Sequence, residues 1–289
     1  MQNHSTYQVV SGKKIARLIK EQVKSDVDQL QQKLGRKPRV VSLISGDNVE
    51  AALYLKLRNK ACDQVGIEAV QHEFSSEISE MELINEIKEL NNDNEVDGIL
   101  VQLPLPNQVH TQRVLSYITP SKDVEGFTPV NMGKVVTNDL FLVPCTPLAV
   151  MKILKHHDVS LRGSHVVIVN HSTVVGKPLV LLCLRENATV SVAHVYTKNL
   201  KAITKQADVL ITAAGVPSLI TSDFVKKDAV VIDVAIVKTE KGVIGDVDFD
   251  HVKDKTRLIT PVPGGVGPVT IASALENMVK ATKAQMQEK

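Results

Sequence analysis

The sequence predicts an α/β protein of two domains, and three observations predict it. Short apolar, β-branched runs alternate with amphipathic helical stretches between about residues 40 and 103. A second series of the same kind starts near residue 150 and continues to about residue 234. The chain has 289 residues, which suits one large or two medium domains, and its 43% of hydrophobic residues is enough to bury a sizeable core.

The first series opens with the strand Val40–Ile44 and a turn at Gly46-Asp47-Asn48. A helix is predicted from about Glu50 to Val65, closed by Gly66 as a helix C-terminal glycine. Ser79–Leu90 has helical periodicity, and the apolar run Gly98–Leu103 is stopped by Pro104 and Pro106. This βαβ rhythm predicts a parallel sheet. In the second series Val150–His156 reads as helix and His165–Val169 as a strand buried on both faces. Gly176-Lys177-Pro178 opens a helix to about Arg185, and the runs Thr189–Val192, Val209–Ala213 and Val230–Val234 follow as strands. That succession predicts a Rossmann-like sheet. The boundary falls in the loop Thr137–Pro147. Residues 1–146, joined by a C-terminal helix over 271–289, make the first domain, and residues 147–270 the second.

Composition excludes several classes. The net charge is only +2, no run of five or six like charges occurs, and there is no Trp. Neither a nucleic-acid groove nor a membrane patch is predicted. Cys62, Cys145 and Cys183 are too few for a disulfide framework and read as small core residues. The N-terminal segment has no uninterrupted apolar stretch of the kind a signal peptide needs, so a reducing cytoplasm is the expectation. No metal site is expected: His156 and His157 are adjacent and cannot share a helix face, and no Cys/His cluster has zinc spacing.

Two segments point to a ligand. The strand His165–Val169 runs into Asn170-His171-Ser172-Thr173-Val174-Val175-Gly176, a tight turn that opens a helix. Such a turn aims backbone N–H groups at an anion, helped by the helix dipole. Only its last position is glycine, but Asn170 tolerates left-handed backbone, so the turn stays feasible. Gly215 and Gly245, near the ends of later strands, fit a ligand collected at one edge of an open α/β sheet. The second segment is Thr260–Thr270, whose three prolines and three glycines stiffen the path and allow a flat ligand to approach closely.

Several segments, in order, resemble the bifunctional methylenetetrahydrofolate dehydrogenase/methenyltetrahydrofolate cyclohydrolase family over nearly the whole chain. They are Val101-Gln102-Leu103-Pro104-Leu105-Pro106, Lys122-Asp123-Val124-Glu125-Gly126, Pro144-Cys145-Thr146-Pro147, Val175-Gly176-Lys177-Pro178, Asn187-Ala188-Thr189-Val190, Gly245-Asp246-Val247 and Thr260–Thr270. The resemblance implies an N-terminal folate-binding domain, an NAD(P)-binding domain and a cleft between them. It implies hydride transfer from methylenetetrahydrofolate, then hydrolysis of the methenyl product to formyltetrahydrofolate, in a homodimer paired through the cofactor domains.

The resemblance also places site residues. Its serine, tyrosine and lysine of the first-domain helix fall on Ala51, Tyr54 and Arg58, spacings that share one helical face. Tyr54 would stack on the pterin. Arg58 replaces a lysine that handles protons; a buried lysine can lose its proton near neutral pH, whereas arginine stays charged. Lys56 and Lys60 point to other faces and do not substitute. Gln102 matches the family glutamine, Glu125 stands for the aspartate that grips the pterin amino edge, and Asp123 matches with a structural role. Pro263, Gly264 and Gly265 would line the substrate. On the cofactor side Asn170, His171, Ser172, Val175, Gly176, His194, Val195, Thr197, Gly215 and Ala235 take the family's positions. His171 replaces an arginine and Val195 a serine that together hold the 2′-phosphate of NADP. Histidine ordinarily titrates near ~6.5, so its hold on a phosphate at pH 7 is partial. Either NADP or NAD is therefore the expected cofactor, and Ala235, in place of a glycine, points the same way. The predicted activity is a dehydrogenase whose cyclohydrolase step is weakened at Arg58. A non-catalytic folate- or nucleotide-binding paralogue and an enzyme acting on a modified folate are the alternatives.

Overall fold

A computed structural model describes residues 7–46, 49–240 and 242–287. In chain order the elements are β1 (Gln8–Val9), α1 (Gly12–Leu34), β2 (Arg39–Ser45), α2 (Val49–Val65), β3 (Glu68–Phe74), α3 (Glu80–Asn92), β4 (Gly98–Val101), α4 (Thr111–Ser116), α5 (Pro129–Val136) and α6 (Cys145–His156). They continue with β5 (His165–Val169), α7 (Gly176–Arg185), β6 (Thr189–Ala193), α8 (Leu200–Thr204), β7 (Val209–Thr212), β8 (Ala229–Asp233), the hairpin β9 (Val237–Thr239) and β10 (Gly242–Ile244), α9 (Phe249–Val252), β11 (Thr256–Ile259) and α10 (Val266–Gln287). The described residues form two compact units, one of residues 17–145 and 271–287, the other of residues 7–16 and 146–270.

The first unit holds a parallel sheet in the order β3-β2-β4, with Val40 opposite both Ala69 and Gly98. Every residue of β4 is buried, which is why Gly98–Val101 carries no polar alternation. Helix α3 starts at a capping box: Ser79 Oγ accepts from the amide of Glu82, and the Glu82 carboxylate accepts from the amide of Ser79. Its Leu83, Ile84, Ile87 and Leu90 then pack on Val41, Leu43, Ile99 and Val101. On the other face Leu275, Met278 and Val279 of α10 pack with Val23 and Val27 of α1 and with Leu100. Burying each such side chain stabilises by about 1.5–3 kcal/mol. Asn277 ties α10 down by donating to the carbonyls of Val124 and Val143, each at 2.9 Å.

The second unit holds a six-stranded parallel sheet in the order β1-β11-β8-β7-β5-β6. Counted from β5, its five main strands follow the doubly wound order 2-1-3-4-5, with the reversal between β5 and β7. Ligands of open α/β sheets bind outside the strands' carboxyl ends at such a reversal. Strand β1 pairs with β11, Gln8 opposite Leu258, whereas the sequence places all residues before 147 in the first domain. A two-residue strand carries too few positions for any periodicity to show its partner. Among the described residues no helix is long and apolar enough to cross a membrane.

Candidate functional site

Four predicted site residues lie in the first unit. Helix α2 presents Tyr54 and Arg58, one turn apart. The side chain of Ala51 lies outside those described. Arg58 is 2% exposed; its Nη2 donates to Ser42 Oγ of β2 and to Asn59 Oδ1 at 3.2 Å, while its Nε has no acceptor among the described residues. Lys56 and Lys60 are exposed, as their places on the helix require. Glu125 is half-buried, and the neighbouring Cys145 Sγ donates to the Val124 carbonyl at 3.5 Å. Gln102 follows β4: its backbone amide donates to Leu43 O and its side-chain amide to Leu103 O, both at 2.9 Å.

Electrostatics join three of these residues. Burial pushes the Glu125 carboxyl above its usual range, and the Arg58 guanidinium opposes that shift. Burial also lifts the Tyr54 phenol well above its ordinary value, with the Glu125 charge adding to the rise and Arg58 subtracting from it. Cys145 is raised well above the usual thiol range by burial and by Glu125, and Cys62 is pushed up to about 11 chiefly by burial. Tyr54, Arg58 and Glu125 thus form one charge cluster, while Gln102 makes no hydrogen bond to it among the described residues. Asp123 has no oxygen to spare: it accepts from the amides of Gly126, Phe127 and Thr128 and from Asn131 Nδ2, which makes it a turn anchor. Neighbouring Lys122 donates to the carbonyls of Leu90, Asn91 and Asp93, where α3 ends.

The second unit carries the other predicted residues. After β5 the chain enters the turn at Asn170, which is not at positive φ. It acts through its side chain instead. Oδ1 accepts from the amides of Ser172 (2.8 Å) and Gly176 (3.0 Å), and Nδ2 donates to Ala213 O (2.6 Å) just beyond β7. Ser172 Oγ takes the amide of Val175, and Ser172 O that of Lys177. Of the turn's N–H groups, those of Asn170, His171, Thr173 and Val174 are left without an acceptor among the described residues. The turn therefore offers a ligand fewer amides than its sequence promises, at the reversal between β5 and β7. Gly176 cannot carry a side chain, because a Cβ there would overlap the Asn170 main chain and come within 2.7 Å of Asn170 Oδ1.

Beyond β5 and β6 two imidazoles meet: the rings of His171 and His194 lie 4.7 Å apart at 37°. Tyr196 packs edge-on against His194, and Thr197 Oγ1 accepts from the His194 amide. Val195 and Tyr196 are 84% and 83% exposed. Further along the sheet Gly215 is exposed at φ +71° and Ala235 is buried. Pro263, Gly264 and Gly265 lie in this unit and not in that of Tyr54. They follow a cis Val262–Pro263 bond and pack on Gly12, whose amide donates to Gly264 O at 3.0 Å.

Sequence reasoning missed Asp233 and Asp246, which hold the loops after β7 and β8. The usable signal was an acidic residue closing an apolar run, as in Val230–Val234, because a buried carboxylate must find donors. Ser42, the partner of Arg58, gave no signal inside an apolar strand.

The family model described as the tetrahydrofolate dehydrogenase/cyclohydrolase catalytic domain matches residues 10–125, and that of the NAD(P)-binding domain of the same enzymes matches residues 144–286. The bifunctional protein FolD of Methanosarcina barkeri is 46% identical over 271 residues, covering 94% of each chain. The solved bifunctional FolD enzyme, methylenetetrahydrofolate dehydrogenase/cyclohydrolase, of Campylobacter jejuni matches with a TM-score of 0.93 at 43% identity, covering 97% of this chain and 100% of its own. The methylenetetrahydrofolate dehydrogenase-cyclohydrolase of Trypanosoma brucei, solved with NADP and an inhibitor, matches with a TM-score of 0.92 at 32% identity, covering 97% and 99%.

Proposed function

The chain belongs to the tetrahydrofolate dehydrogenase/cyclohydrolase family, and from that premise we propose that it oxidises 5,10-methylenetetrahydrofolate with NAD or NADP and hydrolyses the methenyl product slowly. Hydride transfer is chiefly a matter of holding two ligands in register. When bound, the nicotinamide supplies the hydride acceptor. Tyr54, half-buried and kept protonated, offers a ring for the pterin to stack on. Glu125 takes the pterin amino edge, with the Arg58 charge beside it to favour its ionised form. Gln102 orients the one-carbon bridge, and Pro263-Gly264-Gly265 give a narrow main-chain surface for a flat ligand.

On the cofactor side the free amides of Thr173 and Val174 at the start of α7 suit a pyrophosphate. Exposed His171, Val195 and Tyr196 suit the adenosine ribose, with His171 in contact with His194. Asn170, Ser172, Val175 and Gly176 shape that turn, and Thr197, Gly215 and Ala235 complete the wall. Strand β6 is the outer strand of its sheet, carries exposed Val192 and is followed by exposed Val195 and Tyr196, which supports a homodimer joined there. A cytoplasmic protein that acts on no nucleic acid and no membrane fits this reading.

The observation that carries the slow second step is Arg58. Buried and bonded to Ser42 and Asn59, it stays cationic and cannot accept a proton from the attacking water. Incubation with methylenetetrahydrofolate and each dinucleotide, following reduced cofactor and methenyl product separately, tests both parts. Methenyl is expected to accumulate. Formyltetrahydrofolate appearing without methenyl build-up would show that Arg58 does not limit hydrolysis, and no turnover in folded protein would end the dehydrogenase reading. Arg58→Lys is expected to raise methenyl hydrolysis about tenfold or more.

A further inference from the structure

Two buried carboxylates of the second unit have no part in the function proposed above. Asp246 follows the β9–β10 hairpin and is 0% exposed. Its Oδ2 accepts from Thr212 Oγ1 and from the amide of Ala214, both at 2.6 Å, and its Oδ1 from the amide of Val216 at 2.8 Å. The two amides flank Gly215. Asp233 closes β8 and is 2% exposed; its Oδ1 accepts from the amides of Ala235 (3.1 Å) and Asp246 (3.2 Å), its Oδ2 from that of Val247 (2.8 Å). Gly245 lies so close to Asp233 that a Cβ would overlap the carboxylate. The carboxylates therefore act in series. Asp233 fixes the main chain of Asp246, and Asp246 fixes the loop after β7.

Burying a charge is costly unless hydrogen bonds satisfy it, and among the described residues neither aspartate has an ion-pair partner. What these bonds secure is the exposed main chain Ala214–Val216, beside the point where Asn170 Nδ2 holds Ala213 O. That loop stands at the carboxyl end of β7, on the reversal where a doubly wound sheet takes its ligand.

We propose that Asp246 is a positioning residue for the dinucleotide: from beneath the loop it sets the Ala214–Val216 main chain against the bound cofactor, with Asp233 holding it in turn. The inference rests on the dinucleotide reading above. Its test is Asp246→Asn in the full chain, with equilibrium titration by NAD and by NADP. The asparagine amide meets an N–H where the carboxylate met it with an oxygen, so one loop bond is lost and the loop shifts. The dissociation constant for both dinucleotides is expected to rise about tenfold. Thr212→Val deletes one of the three bonds to Asp246 and is expected to weaken binding in the same direction by a smaller factor, so the proposal stays testable if Asp246→Asn does not fold. Thr256→Val is the control. Thr256 is buried at the opposite end of β11 and donates only to Lys253 O, so its loss should lower stability without changing dinucleotide affinity. Unchanged affinity in both loop variants overturns the proposal. So does an equal loss in Thr256→Val, because the effect would then be general loosening. A wild-type chain that binds neither dinucleotide overturns the dinucleotide reading itself, and this inference with it.

Discussion

Around Arg58 the functional surface is made of side chains. A buried guanidinium, a desolvated carboxyl and a phenol act on one another's ionisation, and the guanidinium is held by Ser42 and Asn59. Around Asn170 it is made of main chain. There the polar side chains of Asn170, Ser172, Asp233 and Asp246 face inward and hold loops whose main chain is the surface proposed for the dinucleotide. The contrast teaches where substitution acts. On the reading proposed above, arginine in place of lysine in the first region changes what the site does to a proton. In the second, Asn170 decides which amides are free, and its side chain closes the turn by supplying the acceptor.

Three substitutions press on that contrast. The largest effect is expected from Asn170→Ala, which deletes three hydrogen bonds of a part-buried amide and should remove about 2–4 kcal/mol of unfolding free energy. Urea denaturation measures it, and a loss below about 0.5 kcal/mol would mean that the loops are not held by inward side chains. Asp233→Asn comes next. Burial raises the Asp233 carboxyl from 3.8 to about 6 despite its amide bonds. Because its folded value lies above its unfolded one, the folded state binds the proton more tightly between those limits. Its contribution to stability is complete below about pH 4 and is lost as pH rises through about 6, on the order of 1–3 kcal/mol. The asparagine variant should lack that slope; parallel stability–pH curves for the two proteins would remove Asp233 from the account. The smallest effect is expected from His171→Arg. A permanent charge facing the 2′-phosphate should shift affinity toward NADP over NAD by about three- to tenfold, without touching the Arg58 cluster. An unchanged ratio would place the phosphate elsewhere.

The parallel strands β2, β4, β5, β7 and β8 were legible because each is a near-continuous apolar run, as in His165–Val169 and Val209–Thr212, whereas β11, Thr256–Ile259, was not read. The edge strand β3, Glu68–Phe74, was not, since its half-exposed residues give no clean run. The β9–β10 hairpin has strands of three residues, too short for periodicity. At the site, helical spacing was enough to put Tyr54 and Arg58 on one face. It could not show that Ser42, in the middle of an apolar strand, would be the partner of Arg58. Asn170 was legible as a turn residue but not as an acceptor, because a sequence says which groups a side chain carries and not which amides lie within its reach.

The pairing of β1 with β11, and of α1 with α10, has a consequence for the order in which the molecule is made. On the ribosome, Gln8 and Val9 emerge 250 residues before their partners Leu258 and Ile259 (258 less 8). Val23 and Val27 likewise wait for Leu275 and Met278 to cover them. The six-stranded sheet cannot be completed before β11 has emerged, nor the core of the first unit before α10 has. Until then the nascent chain carries an unmated sheet border and an uncovered helix flank, the surfaces on which chaperones act.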